Sequence, residues 1–290
     1  MTQSPLPALP TTQTQQPRRR TALPVSIVVS VLVLALVAAC VVGSQWIVPG
    51  ATTQDILLGR TPAGTPHHLL GTDDLGRDIL ALTIAGTRSA IVGPIVIAAG
   101  SMAFGILLGT IAGYHGGLID ALLARYADLI LALPAVLLAI VVAGIVGGGY
   151  WVTVALLIVL FSPSDIRLIR GSVMEQRAMP YIEACSVLGM RRRRIMFGQI
   201  VPNVVPIIIT NFMLNIVFAL VAMSSLSYLG LGVGPGAPDW GRQLADGRNI
   251  LGSVPTAVLA PGIAIILTAT AVNIVGDWLF ERLQARVAAR

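Results

Sequence analysis

Lysine is absent from this 290-residue chain, so all 19 basic residues are arginine. A phosphate-binding loop for ATP requires a lysine directly after its second glycine, and this chain has no lysine to place there. The sequence therefore excludes a P-loop ATPase. If the protein uses nucleotide energy, that energy must come from a partner.

Charge is scarce as well: 11% of the residues are charged and 55% are hydrophobic. Globular domains carry about 25% charged residues because their surface faces water. A soluble domain is therefore excluded, and the chain must face lipid. Two cysteines, Cys40 in an apolar run and Cys185 in a polar segment, provide neither a disulfide framework nor a cluster of metal ligands.

Three histidines are too few and too scattered to predict a metal site. His67 and His68 are adjacent, so they point in opposite directions in an extended segment, and His115 stands alone. Imidazole ligands need partner ligands, which this sequence does not place beside them. We therefore predict that all three are solvated loop residues and that the protein binds no metal.

Long stretches without charge predict six membrane spans. A charge at the bilayer centre costs roughly 2.5 to 3.5 kcal/mol, so uncharged stretches indicate crossings. Five such stretches occur, and the one from 129 to 164 is too long for a single crossing. The glycine run 147–149 predicts a turn within it. The predicted spans lie near residues 25–48, 88–113, 128–146, 150–167, 205–230 and 254–277.

The distribution of arginine predicts which side of the membrane each loop occupies. With the N-terminus inside, fourteen arginines are cytoplasmic: Arg18, Arg19, Arg20, Arg125, Arg167, Arg170, Arg177, Arg191, Arg192, Arg193, Arg194, Arg282, Arg286 and Arg290. Five are external: Arg60, Arg77, Arg88, Arg242 and Arg248. Because positive charge accumulates on the cytoplasmic side, both termini are predicted to be cytoplasmic.

The predicted spans divide the chain into three parts. Residues 1–24, rich in Thr, Gln and Pro, are predicted to be a disordered cytoplasmic N-terminus, 25–281 the membrane domain and 282–290 a cytoplasmic tail. A competing interpretation is a cleaved signal peptide, since residues 37–40 resemble a weak lipoprotein cleavage site. The five later spans need the first one for parity, which favours a membrane-embedded Cys40.

Small residues recur every four positions in the second predicted span. Ser101, Gly105, Gly109 and Gly113 share one helix face. Such a stripe allows another helix to approach closely, within the chain or from a second subunit. We favour packing within the chain.

The longest predicted cytoplasmic segment, about 165–202, contains a short helix with clear limits. Pro180 can begin it, since its missing N–H is harmless in a first turn, and Gly189 can end it. Its residues Tyr181, Ala184, Cys185 and Leu188 share one face. This face suits insertion into a cleft of a partner protein. An amphipathic helix lying on lipid is the alternative.

The segment of about 173–202 resembles the coupling loop of permease subunits of bacterial ABC importers. Glu183, Ala184, Gly189 and Pro202 keep the spacing of the family motif, Cys185 replaces its second alanine, and the residue before Pro202 is valine instead of leucine. The resemblance implies a role for each residue. Glu183 would orient the loop, Ala184 and Cys185 would permit close contact with an ATPase, and Gly189 would supply the turn.

Four further stretches resemble the dipeptide, oligopeptide and nickel branch of that family, specifically its "C" type permease. They are residues 71–78, 112–117, 229–233, and 239–241 with 244–247. The resemblance implies an all-α type I importer permease in the bacterial plasma membrane. The implied partners are a second homologous permease, two ATPase subunits or one fused ATPase, an external solute-binding protein and membrane lipid, without nucleic acid. ATP and Mg would be bound by the ATPases, leaving this chain without cofactor or catalytic residue.

The external cluster of Asp73, Asp74, Arg77 and Asp78 does not have calcium-loop spacing. We predict that Thr72 or Asp73 caps a helix whose first turn favours acidic groups. On the outer surface, Asp74 and Arg77 are also candidate contacts for the solute-binding protein.

Neutral polar residues at membrane depth are candidates for a substrate path: Asn211, Asn215, Ser224 and Ser225. They could line a path for a zwitterionic peptide, but hydrogen bonding between helices fits equally well. The residues leave the cargo open among dipeptide, longer peptide, haem and nickel.

Two other functional classes remain open. An ion-coupled carrier generally needs an ionisable group at membrane depth, and Asp128, Asp165 and Asp277 are all predicted to lie at cytoplasmic ends. A membrane enzyme needs a nucleophile, base and acid at one depth, which the sequence does not offer. A permease subunit that provides half of a translocation pathway is therefore the favoured interpretation.

Overall fold

The computed structural model describes residues 24–287, with side chains described as far as residue 284. The N-terminal segment predicted to be disordered lies outside this range except for its last residue. The described backbone is helical, with two isolated β-bridges and no strand. Its helices are α1 (Val25–Ile47), α2 (Ile79–His115), α3 (Gly117–Leu131), α4 (Ala135–Val146), α5 (Tyr150–Arg177), α6 (Pro180–Val187), α7 (Arg192–Tyr228), α8 (Trp240–Gly247) and α9 (Thr256–Val287).

Five of these helices are each long and apolar enough to cross a membrane: α1, α2, α5, α7 and α9. Helices α3 and α4 together supply a sixth candidate span, which is bent by 86°. The all-α, multi-span prediction is thus confirmed. The straight third span predicted at 128–146 is wrong, because Pro134 restricts the residue before it and interrupts the helix there.

Several spans are longer than predicted, and for α2 and α5 the reason is that a charge was taken as the limit. Helix α2 begins nine residues before Arg88, and α5 continues ten residues beyond the predicted end at 167. Two arginines on α5 are paired with aspartates of α3. Arg167 Nη2 lies 2.6 Å from Asp128 Oδ1, and Arg170 forms an ion pair with Asp120. Paired in this way, the arginines do not end the helix.

The small-residue stripe of α2 packs against α5. A Cβ on Gly105 would lie 2.6 Å from Asp165 Cβ, one on Gly109 2.8 Å from Ile166 O, and one on Gly113 2.7 Å from Arg170 O. All three distances are shorter than real Cβ contacts, so only glycine permits this approach. The prediction of packing within the chain is confirmed. A π-helical turn, Gly105–Gly109, lies in the same stretch of α2.

Helix α5 contains a proline at its centre. Pro163 has no N–H, so the carbonyl of Val159, four residues earlier, loses its helical donor. Two hydroxyls replace that donor: Tyr126 Oη, from α3, at 3.0 Å and Ser162 Oγ at 2.9 Å. The weak point of α5 is therefore held by a side chain from a neighbouring helix.

The bundle has two ends, which we call the α6 end and the α8 end. At the α8 end Trp240 Nε1 donates to Thr83 O at 2.8 Å, and Thr256 Oγ1 donates to Leu70 O at 2.5 Å. The C-terminus of α1 is also there, since Ile47 lines one surface cavity with residues of the loop 48–78. It follows that α1 begins, and α9 finishes, at the α6 end.

Two predictions about the ends of the chain can be compared with helix bounds. Cys40 lies inside the continuous helix α1. Helix α9 continues through residue 281 without a break, so the division predicted there is not a boundary of secondary structure.

Candidate functional site

Helix α6 connects α5 with α7 and has the limits predicted from its sequence. Pro180 occupies its first turn. At the other end Gly189 has φ of +72°, its N–H donates to Ser186 O at 3.0 Å, and the N–H of Met190 donates to Cys185 O at 3.1 Å. Glycine adopts this left-handed conformation without the strain that a Cβ causes, so the chain turns sharply into α7.

One side chain anchors α6 to the bundle. Ile182 is buried in an apolar cluster with residues from α2, α5 and α7. Cys185 packs against the edge of the same cluster. The buried members are Met102, Ile169, Val173, Ile182, Ile195 and Ile200. A movement of α6 must therefore displace the ends of the helices that contribute to this cluster.

The exposed face of α6 is wider than the predicted one, because it also includes Val187. Val187 is 82% exposed and Leu188 is 79% exposed, and Glu183 and Ala184 lie beside them. Apolar side chains that protrude this far at an end with an aqueous loop indicate a surface for a partner. Val187 was missed, although its i+4 relation to Glu183 was readable in the sequence.

Two residues assigned to that face have other contacts. The Tyr181 hydroxyl donates to Gln176 Oε1 at 2.8 Å and accepts from Asn203 Nδ2 at 3.1 Å, so it links α6 to α5 and α7. Cys185 is partly buried against the Ile182 cluster. Tyr181 is nevertheless 37% exposed and lies one helical repeat from Leu188, so it stays on the predicted face with Ala184 and Leu188. Cys185 lies at the edge of that face, and the docking role of the face remains a prediction.

The surroundings of α6 are positively charged. The four arginines 191–194, at the start of α7, all have exposed side chains. The guanidinium of Arg177, at the end of α5, stacks 5.7 Å from the ring centre of Tyr114. A surface of one sign favours a partner of the opposite sign.

At the α8 end, Arg77 holds a loop together and does not face outward. Its side chain is buried, with the residue 5% exposed, and its Nη2 lies 2.6 Å from Asp73 Oδ2. Asp73 also accepts from the N–H groups of Leu75 and Arg77, both at 2.9 Å. The predicted contact of Arg77 with a solute-binding protein requires an exposed guanidinium, which the structure does not provide. Asp74 is exposed and forms an ion pair with Arg60.

The helix cap predicted for Thr72 or Asp73 belongs to Asp78. Asp78 Oδ1 accepts from the N–H of Ala81 at 2.8 Å at the start of α2. His68 Nδ1 lies 2.8 Å from Asp78 Oδ2, so His68 is not the solvated residue that was predicted. Thr72 instead donates to Gly59 O at 2.7 Å and ties the loop 48–78 to itself. The capping prediction was wrong because α2 begins later than the acidic run.

Helix α8 packs on the outer part of α2 through a buried carboxylate. Asp239 caps α8 by accepting from the N–H of Arg242 at 3.1 Å, and the hydroxyl of Ser89 donates to it at 3.0 Å. Burial raises the pKa of Asp239 above its ordinary value, because desolvation of the charged form exceeds the stabilisation by these hydrogen bonds. Gly86 lies against the backbone of Asp239, where a Cβ would be 3.1 Å from its nitrogen.

The raised pKa of Asp239 predicts a loss of stability as the pH rises. Because the unfolded state has the lower pKa, it releases its proton first, so the free energy of unfolding falls from near pH 4 up to the pKa of the folded state. The substitution Asp239→Asn keeps a capping oxygen and removes the titrating group. Thermal melts of the detergent-purified protein at several pH values should show a weaker pH dependence for the variant than for the wild type. Parallel curves would contradict the prediction.

The four predicted path residues occupy two different environments. Ser224 and Ser225, on α7, line an open cavity of about 350 Å³ with Tyr228, Leu244 and Ile265. Asn211 and Asn215 lie deeper along α7, where both donate to Asp165 on α5. The amide groups of the two asparagines are thus engaged between helices, as the alternative interpretation proposed.

Asp165 is the charged residue whose position the sequence predicted least well. It was predicted to lie beside an aqueous loop, but it is 0% exposed and sits near the middle of α5. The prediction was wrong because α5 continues well beyond 167. Its oxygens accept from Asn211 Nδ2 at 2.5 Å and from Asn215 Nδ2 at 2.8 and 3.0 Å. The sequence argument against an ion-coupled carrier assumed no acid at this depth, so that argument fails.

Multiple apolar spans, a short helix with an exposed apolar side between two of them and a folded cap at the opposite end are the features of a multi-pass membrane protein. Residues 105–289 match the family of binding-protein-dependent transport system inner membrane components. This chain belongs to that family, and it is a multi-pass inner-membrane permease. The family assignment, and not the distribution of acids, decides against an ion-coupled carrier.

Proteins of known function support the same assignment. The dipeptide transport system permease protein DppC of Haemophilus influenzae is 35% identical over 224 residues, covering 77% of this chain and 76% of that protein. The glutathione transport system permease protein GsiD of Pectobacterium atrosepticum is 35% identical over 220 residues, covering 76% and 73%. The prediction of a dipeptide-branch permease is confirmed.

A solved structure has the same fold. The inward-facing MetNI methionine ABC transporter matches with a TM-score of 0.56 and 16% identity, covering 70% of this chain and 97% of that chain. At this identity the likeness concerns the fold alone.

Proposed function

We propose that this chain forms half of the translocation pathway of an ATP-driven importer of dipeptides or short oligopeptides. The cargo assignment is supported by relatives whose names specify dipeptide and glutathione transport, at 35% identity over about three quarters of each chain. Dipeptides and glutathione are small zwitterionic or anionic solutes. Among the cargoes left open by the sequence, we therefore choose peptide over haem and nickel.

The observation that carries the proposal is the exposed apolar face of α6. Val187 and Leu188 protrude from a helix whose opposite side is fixed by Ile182 to α5 and α7. We assign this face, with Glu183 and Ala184, to the contact with an ATPase subunit. The chain has no lysine for a phosphate-binding loop, so ATP and Mg are bound by that partner.

The proposed assembly has a second homologous permease, two ATPase subunits or one fused ATPase, and an external solute-binding protein. In this assembly the chain is not an enzyme. Both termini are cytoplasmic, as is the α6 end, and the α8 end is external. Asp74, exposed beside Arg60 on that end, is the proposed contact for the solute-binding protein.

In the proposed mechanism, movement of the ATPase subunits is transmitted through α6 to the membrane-spanning helices. Closure of the ATPases on ATP moves α6, and the Ile182 cluster transmits the movement to the ends of α5 and α7. Switching of the pathway between inward and outward access then follows from the shift of packed helices. Gly189 keeps α6 at a fixed angle to α7, and Glu183 orients the contact by charge-assisted hydrogen bonds.

The proposed pathway includes Ser224 and Ser225. Both line the cavity of about 350 Å³ near the α8 end of α7, which also contains the aromatic ring of Tyr228. Hydroxyl and aromatic groups in an otherwise apolar wall fit a small polar solute. Asn211 and Asn215 are less accessible because they are bonded to Asp165.

Substitution of Leu188 tests the docking face. We expect Leu188→Asp to prevent co-purification of the ATPase subunits and to reduce dipeptide uptake into proteoliposomes at least about tenfold, because a buried carboxylate without a partner costs several kcal/mol. Leu69→Asp is the matched control, since Leu69, in the loop 48–78 at the α8 end, is 74% exposed against 79% for Leu188. Normal ATPase binding by Leu188→Asp would refute the assignment of this face. Normal assembly without uptake of any dipeptide by the wild type would refute the cargo instead.

A further inference from the structure

The inference concerns the buried carboxylate of Asp165 and its two asparagine partners, which we call the Asp165 cluster (Asp165, Asn211 and Asn215). It resides on α5 and α7, the two helices that α6 connects directly. Its partners on α7 are neutral amides, and the nearby Arg167 and Arg170 instead bind Asp128 and Asp120 on α3. An ionisable group held inside a membrane bundle is costly, so its presence calls for a functional explanation.

Both helices contain weak points between α6 and the opposite end of the bundle. Pro163 removes one hydrogen bond from the centre of α5. Helix α7 contains the π-helical turn Met196–Ile200 and, inside its first part, Pro206. Without a brace, displacement of α6 would bend the helices at these points, and the movement would not reach the far end.

The Asp165 cluster lies where such a brace is needed. Asp165 is two residues beyond Pro163 on the α6 side, about 18 Å from the end of α5 at the helical rise of 1.5 Å per residue. Asn211 and Asn215 lie beyond Pro206 on the opposite side from α6. The hydrogen bonds of the cluster therefore join the part of α5 that lies between Pro163 and α6 to the part of α7 that lies beyond Pro206.

Close packing leaves the cluster little freedom to rearrange. Asp165 is completely buried, and its Cβ lies against Gly105 of α2, where an added Cβ would be only 2.6 Å away. The carboxylate accepts three hydrogen bonds at 2.5 to 3.0 Å from the two amides. Charge-assisted bonds of this length are stronger than neutral ones and fix the relative position of the two helices.

We propose that Asp165 is a positioning residue for energy coupling: its bonds to Asn211 and Asn215 make α5 and α7 move as one unit when α6 is displaced. The cluster takes no part in binding solute or nucleotide. Its loss should therefore lower the amount of solute moved per ATP hydrolysed, with little change in ATP hydrolysis or assembly. This inference rests on the proposed function for its transport readout.

Reciprocal exchange of the acid and the amide tests the pair. Asn215→Asp removes an amide donor and places a second carboxyl group against the first, where the two cannot both be ionised, so the charge-assisted bond between amide and carboxylate is lost. We expect it to lower dipeptide transported per ATP about tenfold, within the usual range of coupling between sites. The double variant Asp165→Asn with Asn215→Asp restores one acid and one amide, and should return this ratio to within about twofold of the wild type. Asn249→Asp, exposed at the α8 end, is the control for the added charge.

A cargo-independent measurement separates this inference from the proposed function. Spin labels at Leu168→Cys and Leu214→Cys, with Cys40 and Cys185 replaced by serine, report the distance between α5 and α7 beside the cluster. In the complete complex we expect one distance with and without trapped ATP in the wild type, and separate distances in Asn215→Asp.

The proposal is overturned if the wild-type distance changes with ATP, or if the assembled double variant is no better coupled than Asn215→Asp. If the Asn215→Asp variant fails to assemble, the proposal is still tested by the wild-type distance with and without ATP and by the coupling ratio of the double variant. If the wild-type distance between α5 and α7 is the same with and without ATP but the complex transports no dipeptide, the proposed cargo is contradicted. The proposed role of the Asp165 cluster is then still supported.

Discussion

Gly189→Val should abolish solute uptake while the complex still assembles in the membrane. The residue adopts φ of +72° at the end of α6, a conformation that costs a β-branched side chain about 1 to 3 kcal/mol. No atom lies within 4 Å of the Cβ that a substitution would add, so the effect comes from the backbone and not from a steric clash. Relief of the strain would re-orient α6 against α7 and displace the exposed Val187 and Leu188.

A matched substitution isolates the backbone contribution. Asparagine tolerates the left-handed conformation better than valine, and the open space accommodates either side chain. Gly189→Asn should therefore retain much of the uptake that Gly189→Val loses, measured with reconstituted complex in proteoliposomes at equal protein levels. Full uptake by the valine variant would refute the role of the turn, and equal loss in both would show that any side chain is excluded.

Gly105→Val is expected to have the largest effect on stability. A Cβ at this position would lie 2.6 Å from Asp165 Cβ and 3.0 Å from the carbonyl carbon of Asp165, so α2 and α5 must separate. Overpacking of a closely packed site costs about 1 to 3 kcal/mol or more, which should lower the melting temperature in detergent by about 5 °C or more. Separation of α2 from α5 would also disturb the Asp165 cluster, so coupling should fall too.

Gly144→Val is the control for this prediction. Gly144 is an exposed helical glycine of α4 with no atom within 4 Å of an added Cβ, so valine there has room. Its melting temperature should remain close to that of the wild type. If the two variants melt alike, helix propensity and not the approach of α2 to α5 determines the stability.

Features that depend on neighbouring residues in the chain were predictable. Proline in the first turn and glycine at a left-handed position set the two ends of α6, and both are local signals in the sequence. A four-residue repeat of small residues likewise predicts a close helix contact, although it does not identify the partner helix. Pro134 equally indicated a break in the third span. The prediction of one uninterrupted span at 128–146 was wrong because the lack of charge was given more weight than the proline.

Features that depend on distant residues were not predictable. The charge rule assigns every ionised group to water, yet Asp165 is bonded to asparagines 46 and 50 residues away. Such partners are visible only once the helices are packed. The partial burial of Cys185 was missed for the same reason, since Ile182 can be recognised as the anchor only when the cluster from α2, α5 and α7 is present.

Helices α2 and α7 are longer than the hydrocarbon layer is thick. Each runs for 37 residues, about 55 Å at 1.5 Å per residue, whereas the hydrocarbon layer is about 30 Å thick. Even at a tilt of about 40° both helices exceed that thickness by at least two turns. The surplus turns reach into the headgroup layers, which together with the hydrocarbon span about 40–45 Å from edge to edge. The segments joined to the ends of α2 and α7 therefore start among polar headgroups and water instead of acyl chains.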